Sequence, residues 1–334
     1  MALSLFGYDA LFAFGDSLTD TGRKGPDGTV ASLYFNGRYS NGPLWVEYLS
    51  QRLGLAYNAS NNLAQSGAQT DDTYKQVTNF VANGAVDSSL FVVWAGGNDF
   101  LQEYDKYWFN DAAWDSQINY SVGSLSNAVM NLIGKGARTI LIPNTVDVTR
   151  IPIINVLLLP AFDFDYLREK VMLFNSRLFA AVDKISDLHP EVRLVKADMF
   201  NRLEGMIGTA SLYGFTDTTT GAIEDPTLFD KSFDGPGSRY LFWDPIHPTT
   251  KAHALVADYY LLKVAPLLPQ MGMSIESSRL NLVAGNLHLG KRYMLEQSSD
   301  FQLWRTSRVF IAYNSLPLNL PITNTTDRAF FRVK

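Results

Sequence analysis

A serine, a histidine and an aspartate in this chain stand at spacings that could make a nucleophile and its base. Ser17 lies in Phe14-Gly15-Asp16-Ser17-Leu18, directly after the apolar run Leu11 to Phe14. Asp244 and His247 share the segment Asp244-Pro245-Ile246-His247, so a single turn lets the acid orient the imidazole. A serine hydroxyl is a weak nucleophile until a base takes its proton, and an imidazole held by a carboxylate is such a base. Of His189, His247, His253 and His288, only His247 has an acid at this fixed short spacing, and His253 falls in the helix that follows and reads as structural. Ser17 by itself would serve equally well as a helix N-cap. Asp16 and Asp99 are read as acceptors of backbone hydrogen bonds that shape their loops, in preference to a second acid or a metal ligand.

Strands and helices must bring these distant residues together, and the apolar pattern names them. Leu11 to Phe14, Leu90 to Trp94, Thr139 to Ile142 and Val192 to Val195 are short apolar runs of the kind found in strands buried on both faces. Pro43 to Leu53, Asp71 to Val81, Ser124 to Lys135, Asp165 to Asp187 and Thr249 to Leu267 read as helices. In the fourth of these, Leu167, Val171, Phe174, Leu178 and Val182 recur at helical spacing and form a core-facing stripe. Strands alternating with helices predict an α/β fold with a parallel sheet covered on both faces. Ser17 then sits where a strand ends and a helix begins, a position at which backbone N–H groups and the helix dipole favour negative charge.

Past Leu268 the long periods give way to short alternating runs. Pro269 and the Gly272 region read as a linker, and Arg292 to Glu296, Gln302 to Arg305, Val309 to Tyr313 and Phe330 to Val333 read as strands of a small β-sandwich. The domains are therefore placed at 1–268 and 269–334. A module of that size is marginal for independent stability, so it is expected to pack against the larger body.

Composition removes several function classes. With 334 residues, 46% of them hydrophobic, the chain can bury a substantial core. A formal net charge of -5 without a basic run argues against a nucleic-acid partner. The absence of cysteine excludes disulfides, cysteine-based zinc fingers and thiol catalysis. Met1 to Tyr8 lacks the basic start and apolar length of a secretory signal, and no apolar run reaches the roughly 18 residues of a transmembrane helix. Gly134-Lys135-Gly136 precedes a strand where a dinucleotide fingerprint must follow one. No Gly-x-Ser-x-Gly elbow is present, which weighs against an ordinary α/β-hydrolase.

The chain resembles the GDSL (SGNH) family of serine esterases and lipases in four motif blocks that occur in order. They are Gly15-Asp16-Ser17-Leu18, extended by Thr19-Asp20-Thr21-Gly22; Asn62-Leu63-Ala64-Gln65-Ser66-Gly67-Ala68; Gly97-Asn98-Asp99; and Asp244-Pro245-Ile246-His247. Arg38 to Trp45 is similar to a segment of the larger bacterial and plant-type members. The resemblance implies a three-layer α/β/α, flavodoxin-like sheet with a small C-terminal all-β module. It implies a carboxylic ester hydrolase acting through an acyl-enzyme, with Ser17, Asp244 and His247 catalytic and no cofactor or metal. The oxyanion donors carried over are the backbone N–H groups of Ser17 and Gly67 and the side chain of Asn98. Short-chain or acetyl esters are the expected substrates, with lysophospholipase or acyltransferase activity next and an inactive carbohydrate-binding or surface protein the rival of another class. Tyr104, Tyr107 and Trp108, which follow the third block closely, are the candidate pocket walls, and Ile153 to Leu159 a possible acyl-binding or buried loop. The partners expected are a small-molecule, lipid or acetylated-carbohydrate ester, with no nucleic acid and no transmembrane segment, and the family and its C-terminal module point to a secreted or periplasmic location.

Overall fold

The computed structural model describes residues 7–81, 86–103, 106–107, 109–156, 163–232 and 235–265, followed by 270–276, 279–285, 292–299, 302–303, 305–311, 318–321 and 330–333. Contacts divide the chain into two compact units, Met1–Val264 and Ala265–Lys334.

In the first unit, four strands form one parallel sheet in the order β1 (Leu11–Gly15), β2 (Leu90–Trp94), β3 (Thr139–Pro143) and β4 (Arg193–Ala197). Beyond β1, Asn62 makes a single parallel bridge with Ala13, so a short extended segment takes the outer position that a fifth strand would hold in a flavodoxin-like sheet. The expected α/β architecture is therefore present. The strand runs lack polar alternation because both of their faces are covered. Phe12, Phe14, Phe91, Val93, Ile140 and Ile142 point into one core. Leu11, Ala13, Leu90, Val92, Trp94 and Leu141 point into the other.

The first core is closed by α2 (Thr70–Asn79), α4 (Asp111–Gly134) and α6 (Phe164–Leu188), which supply Val77, Leu125 and Phe174 among others. The stripe predicted on α6 is buried as expected, and Ile185 extends it by one turn. The second core is closed by α1 (Trp45–Arg52) and α8 (Thr250–Val264), where Trp45, Trp94 and Tyr260 pack edge to face with centroids 5.0 to 6.0 Å apart. Helix α4 begins well before the predicted Ser124, at a cap where Asn110 accepts from Ala113 N–H. Its first turns are polar outside and bury only Trp114, Ile118 and Ser121, too thin a pattern to stand out in sequence. Helix α7 (Met199–Gly208), capped by Asp198, was not anticipated. Among the described residues no helix is long and apolar enough to cross a membrane.

The second unit contains two three-stranded antiparallel sheets. One has the order β10 (Arg305–Ile311), β9 (Arg292–Ser298), β12 (Phe330–Val333); the other has β11 (Leu318–Pro321), β8 (Arg279–Gly285), β7 (Gln270–Glu276). The Gly272 region is thus a strand paired along its whole length with β8, not a linker, since apolar residues alternate through Met271, Met273 and Ile275. Gln302 and Leu303 form no strand, and Pro269, Trp304, Ala312 and Tyr313 lie outside the described residues.

Candidate active site

Three loops that leave the carboxyl ends of β1 and β2, or run alongside β1, meet above the sheet, the location at which open parallel sheets bind ligands. The first follows Gly15, whose φ of +153° carries the chain over the neighbouring strand; a Cβ there would lie 2.1 Å from the Trp94 carbonyl oxygen. Gln76 of α2 clamps the Gly15 peptide on both sides at 2.9 Å, accepting from its N–H and donating to its carbonyl. Ser17 then sits in a single turn closed by Thr19 N–H and Asp20 N–H on the Asp16 carbonyl. The predicted helix does not begin there. The next helical element is a 3-10 turn at Gly28–Leu33, so the negative-charge preference beside Ser17 rests on the turn's own amides.

The second loop carries Gly67. Leu63 N–H donates to Ala13 O and Gln65 N–H to Gly15 O, which lays the segment along β1 and delivers it next to the Ser17 turn. Asp20 ties the two loops together by accepting from the N–H groups of Gly22, Arg23, Lys24 and Ser66 at 2.7 to 2.9 Å. Gly67 has φ +78°, in the left-handed region where a side chain is strained.

The third loop turns at Gly96, where a Cβ would meet Thr145 Oγ1 at 2.2 Å, and enters the short helix α3 (Gly97–Leu101). Asn98 Nδ2 donates to Ala68 O at 3.0 Å, joining this helix to the Gly67 loop. An amide nitrogen carries two protons, so a second donor remains. Asp99, one residue on, is buried and accepts from Thr70 N–H at 3.0 Å and from the Thr70 and Ser121 hydroxyls at 2.6 Å each. Asp16 likewise accepts from Leu18 N–H at 3.0 Å. Both aspartates shape loops, as the sequence suggested.

Burial pushes the Asp99 carboxyl up to about 6 despite its three donors. Because this value exceeds the 3.8 of an unhindered aspartate, folding favours the protonated form. The contribution is therefore most favourable below pH 3.8 and is lost as the pH rises to about 6. Asp99→Asn should escape this titration. Its unfolding free energy relative to the wild type is expected to improve by up to about 3 kcal/mol across that interval, measured by urea denaturation at stepped pH; a difference that stays constant contradicts the account.

The Asp244–His247 turn comes from the far end of the unit. Parallel strands β5 (Asp217–Gly221) and β6 (Tyr240–Phe242) support it, and Trp243 N–H closes it on His247 O at 2.7 Å. Gly221 passes so close that a Cβ would stand 2.6 Å from the Asp244 carbonyl carbon. The consequence is a continuous chain of contacts: Asp244 Oδ2 to His247 Nδ1 at 2.7 Å, and His247 Nε2 to Ser17 Oγ at 2.8 Å. All three residues are buried. Asp244 Oδ1 accepts from the Ile246 and His247 N–H groups, each at 2.7 Å. Burial alone would raise this carboxyl, but the neighbouring imidazole and these hydrogen bonds hold it below the usual carboxylate value. With Nδ1–H on Asp244, Nε2 faces the serine as an acceptor, and the assembly can withdraw the Ser17 proton. His253 does not join it: the ring is buried in α8, and burial, then the charge of His247, pushes its pKa down to about 3.

Beside Ser17 and Asn98 opens a cleft whose described walls include Val146, Val148, Ile151, Leu203, Met206 and Leu241. Tyr107 is not among them; it packs edge-on against Trp114, with centroids 5.5 Å apart, at the margin of the first core. Tyr104 and Trp108 lie outside the described residues. The segment from Ile153 is in part the short helix α5 (Pro152–Val156), held to the Asp244–His247 turn by Ile153 N–H on Pro245 O at 2.7 Å, and residues 157–160 lie outside the described ones. Two further residues at the site come from a loop that held no periodic signal: the Tyr34 hydroxyl donates to Asp244 Oδ2 at 2.8 Å, and the Tyr39 ring lies 4.8 Å from that of His247.

The family model described as GDSL-like Lipase/Acylhydrolase matches residues 11–260. A GDSL esterase/lipase of Arabidopsis thaliana is 26% identical over 305 residues, covering 74% of this chain and 87% of the relative. Acetylajmalan esterase 2 of Rauvolfia serpentina is 25% identical, covering 78% and 91%. An acetylxylan esterase structure from Geobacillus stearothermophilus superposes with a TM-score of 0.47 at 16% identity, covering 78% of this chain and 95% of that one.

Proposed function

This chain belongs to the GDSL-like lipase and acylhydrolase family, and from that membership we propose that it hydrolyses carboxylic esters through an acyl-enzyme formed on Ser17. The observation that carries the reading is the unbroken line Ser17 Oγ, His247 Nε2, His247 Nδ1, Asp244 Oδ2, with hydrogen-bond distances of 2.8 and 2.7 Å. In the acylation step Oγ attacks the ester carbonyl carbon as its proton passes to Nε2. The tetrahedral intermediate collapses by breaking the bond to the alcohol oxygen, which leaves with that proton. Water then repeats the sequence on the acyl-enzyme and releases the acid. Asp244 keeps Nδ1–H in place and balances the imidazolium without accepting the proton. The backbone N–H groups of Ser17 and Gly67 and the remaining Asn98 amide proton are assigned to the oxyanion.

The cleft bears on the acyl group. Leu203, Met206 and Leu241 line the cleft with apolar surface, and an acyl chain longer than acetyl would bury more of that surface. Each buried methylene is worth about 0.8 kcal/mol, close to a factor of four. We therefore expect kcat/KM for p-nitrophenyl esters to climb by about three- to fourfold per methylene over the first additions to acetate. A series that is flat or falls from acetate onward would place the substrate among acetyl esters, a second reading favoured by the name of the Rauvolfia relative.

A further inference from the structure

The segment 33–41 lies against the Asp244–His247 turn and the residues that flank it at five points. Trp243 Nε1 donates to Leu33 O at 3.1 Å, Tyr34 Oη to Asp244 Oδ2 at 2.8 Å, Ser40 Oγ to Pro248 O at 2.9 Å and Thr250 N–H to Asn41 Oδ1 at 2.9 Å, while the Tyr39 ring covers the imidazole. Two of these contacts reach the relay itself, the Tyr39 ring on the imidazole and the Tyr34 hydroxyl on the carboxylate, and only the second is a hydrogen bond. Asp244 Oδ2 is the oxygen that holds His247 Nδ1–H, so it receives two donors, and Oδ1 receives two backbone N–H groups. A carboxylate has about four lone-pair positions, and here Tyr34 fills the last of them.

We propose that Tyr34 is a positioning residue for ester hydrolysis, which fixes the plane of the Asp244 carboxylate and shares the charge on Oδ2, and that segment 33–41 is the strap that holds it there. This rests on the serine-esterase reading above. Burial, and then the negative charge of Asp244, keeps the phenol protonated, so it serves as a donor throughout the working range. Without that hydroxyl the buried oxygen loses a partner, the carboxylate gains freedom to turn, and its charge concentrates on the bond to His247. The imidazolium is then held more tightly and the base is freed only at higher pH. Among the described residues, Tyr39 of the strap and Glu224 after β5 also act on Tyr34, and Asp16 of the nucleophile turn and His253 of α8 are the groups linked by charge to His247. None of them donates a hydrogen bond to Oδ2.

The test compares wild type, Ser17→Ala, Tyr34→Phe, Asp244→Asn and the double variant Tyr34→Phe/Asp244→Asn on p-nitrophenyl butyrate. Tyr34→Phe, which removes one oxygen, should lower kcat about tenfold with KM little changed. It should also move the acid limb of kcat/KM upward by about half a pH unit. In the Asp244→Asn background the same substitution should cost nothing further, because its route to the serine is already cut. Wild-type kcat with an unmoved acid limb in Tyr34→Phe overturns the proposal, and so does a tenfold loss repeated in the Asp244→Asn background. Ser17→Ala separates this from the premise: if it still turns over, the esterase reading itself falls, whereas an inactive Ser17→Ala beside an unaffected Tyr34→Phe removes only the role of the tyrosine.

Discussion

Alanine at position 17 is expected to lower kcat for ester hydrolysis by about 10⁵- to 10⁶-fold, the scale on which removal of a hydroxyl nucleophile disables a serine hydrolase. The substitution takes one oxygen from a buried site and, beyond its hydrogen bond to His247 Nε2, leaves the surrounding contacts in place. Gly15 still turns over Trp94, Gln76 still clamps the Gly15 peptide, and His247 still rests on Asp244. Stability should therefore change little while the acyl-enzyme can no longer form. Reaction with a fluorophosphonate probe, followed by intact mass, reads the same atom independently of any substrate: wild type should gain one adduct and Ser17→Ala none. Turnover comparable to wild type in the variant would remove Ser17 from the chemistry altogether.

The second large effect is expected at Asn98. One proton of its amide is committed to Ala68 O at 3.0 Å, and the side chain lines the cleft beside Ser17. Loss of a single oxyanion donor costs about 10²- to 10³-fold in turnover, because the donor acts on charge that exists only in the transition state. Asn98→Ala should therefore lower kcat by that factor with KM nearly unchanged. Here it also removes one tie between α3 and the Gly67 loop while Gln102 Nε2 still donates to Gly67 O at 3.1 Å, so the upper end of the range is expected. Asp99 still anchors the helix to Thr70 and Ser121, which predicts a folded variant by circular dichroism. Wild-type turnover would exclude Asn98 from the site.

Much of this was legible in the chain because the physics that sets it is local or repetitive. Strands covered on both faces must be apolar throughout, which is why Leu90 to Trp94 stands out in sequence. The α6 stripe is equally plain, since one face of a long helix is buried along its length. A carboxylate and an imidazole three residues apart needed only a turn. What escaped reading depended on partners far away. Met199, Phe200, Leu203 and Met206 after a capping Asp198 do carry a helical period, but over ten residues it is easily lost, and with it went three residues of the cleft wall, Met199, Leu203 and Met206. The aromatic cluster after Asn98 drew attention by composition, yet Trp114 stacks on Phe100 inside the core and Tyr107 packs on Trp114. Tyr34 gave no signal at all: its partner is 210 positions away, and a single tyrosine between Leu33 and Phe35 has no pattern to extend.

The Ser17–His247 hydrogen bond spans 230 positions of chain, and this has a bearing on the life of the protein before it is complete. During synthesis the serine, its glycine turn and the Gly67 loop emerge early, while the imidazole that would arm them is still to be translated. On the mechanism proposed here, a ribosome-bound chain would be inert toward the esters around it, with competence arriving only once nearly the whole first unit has been made. The order of its own codons supplies the delay.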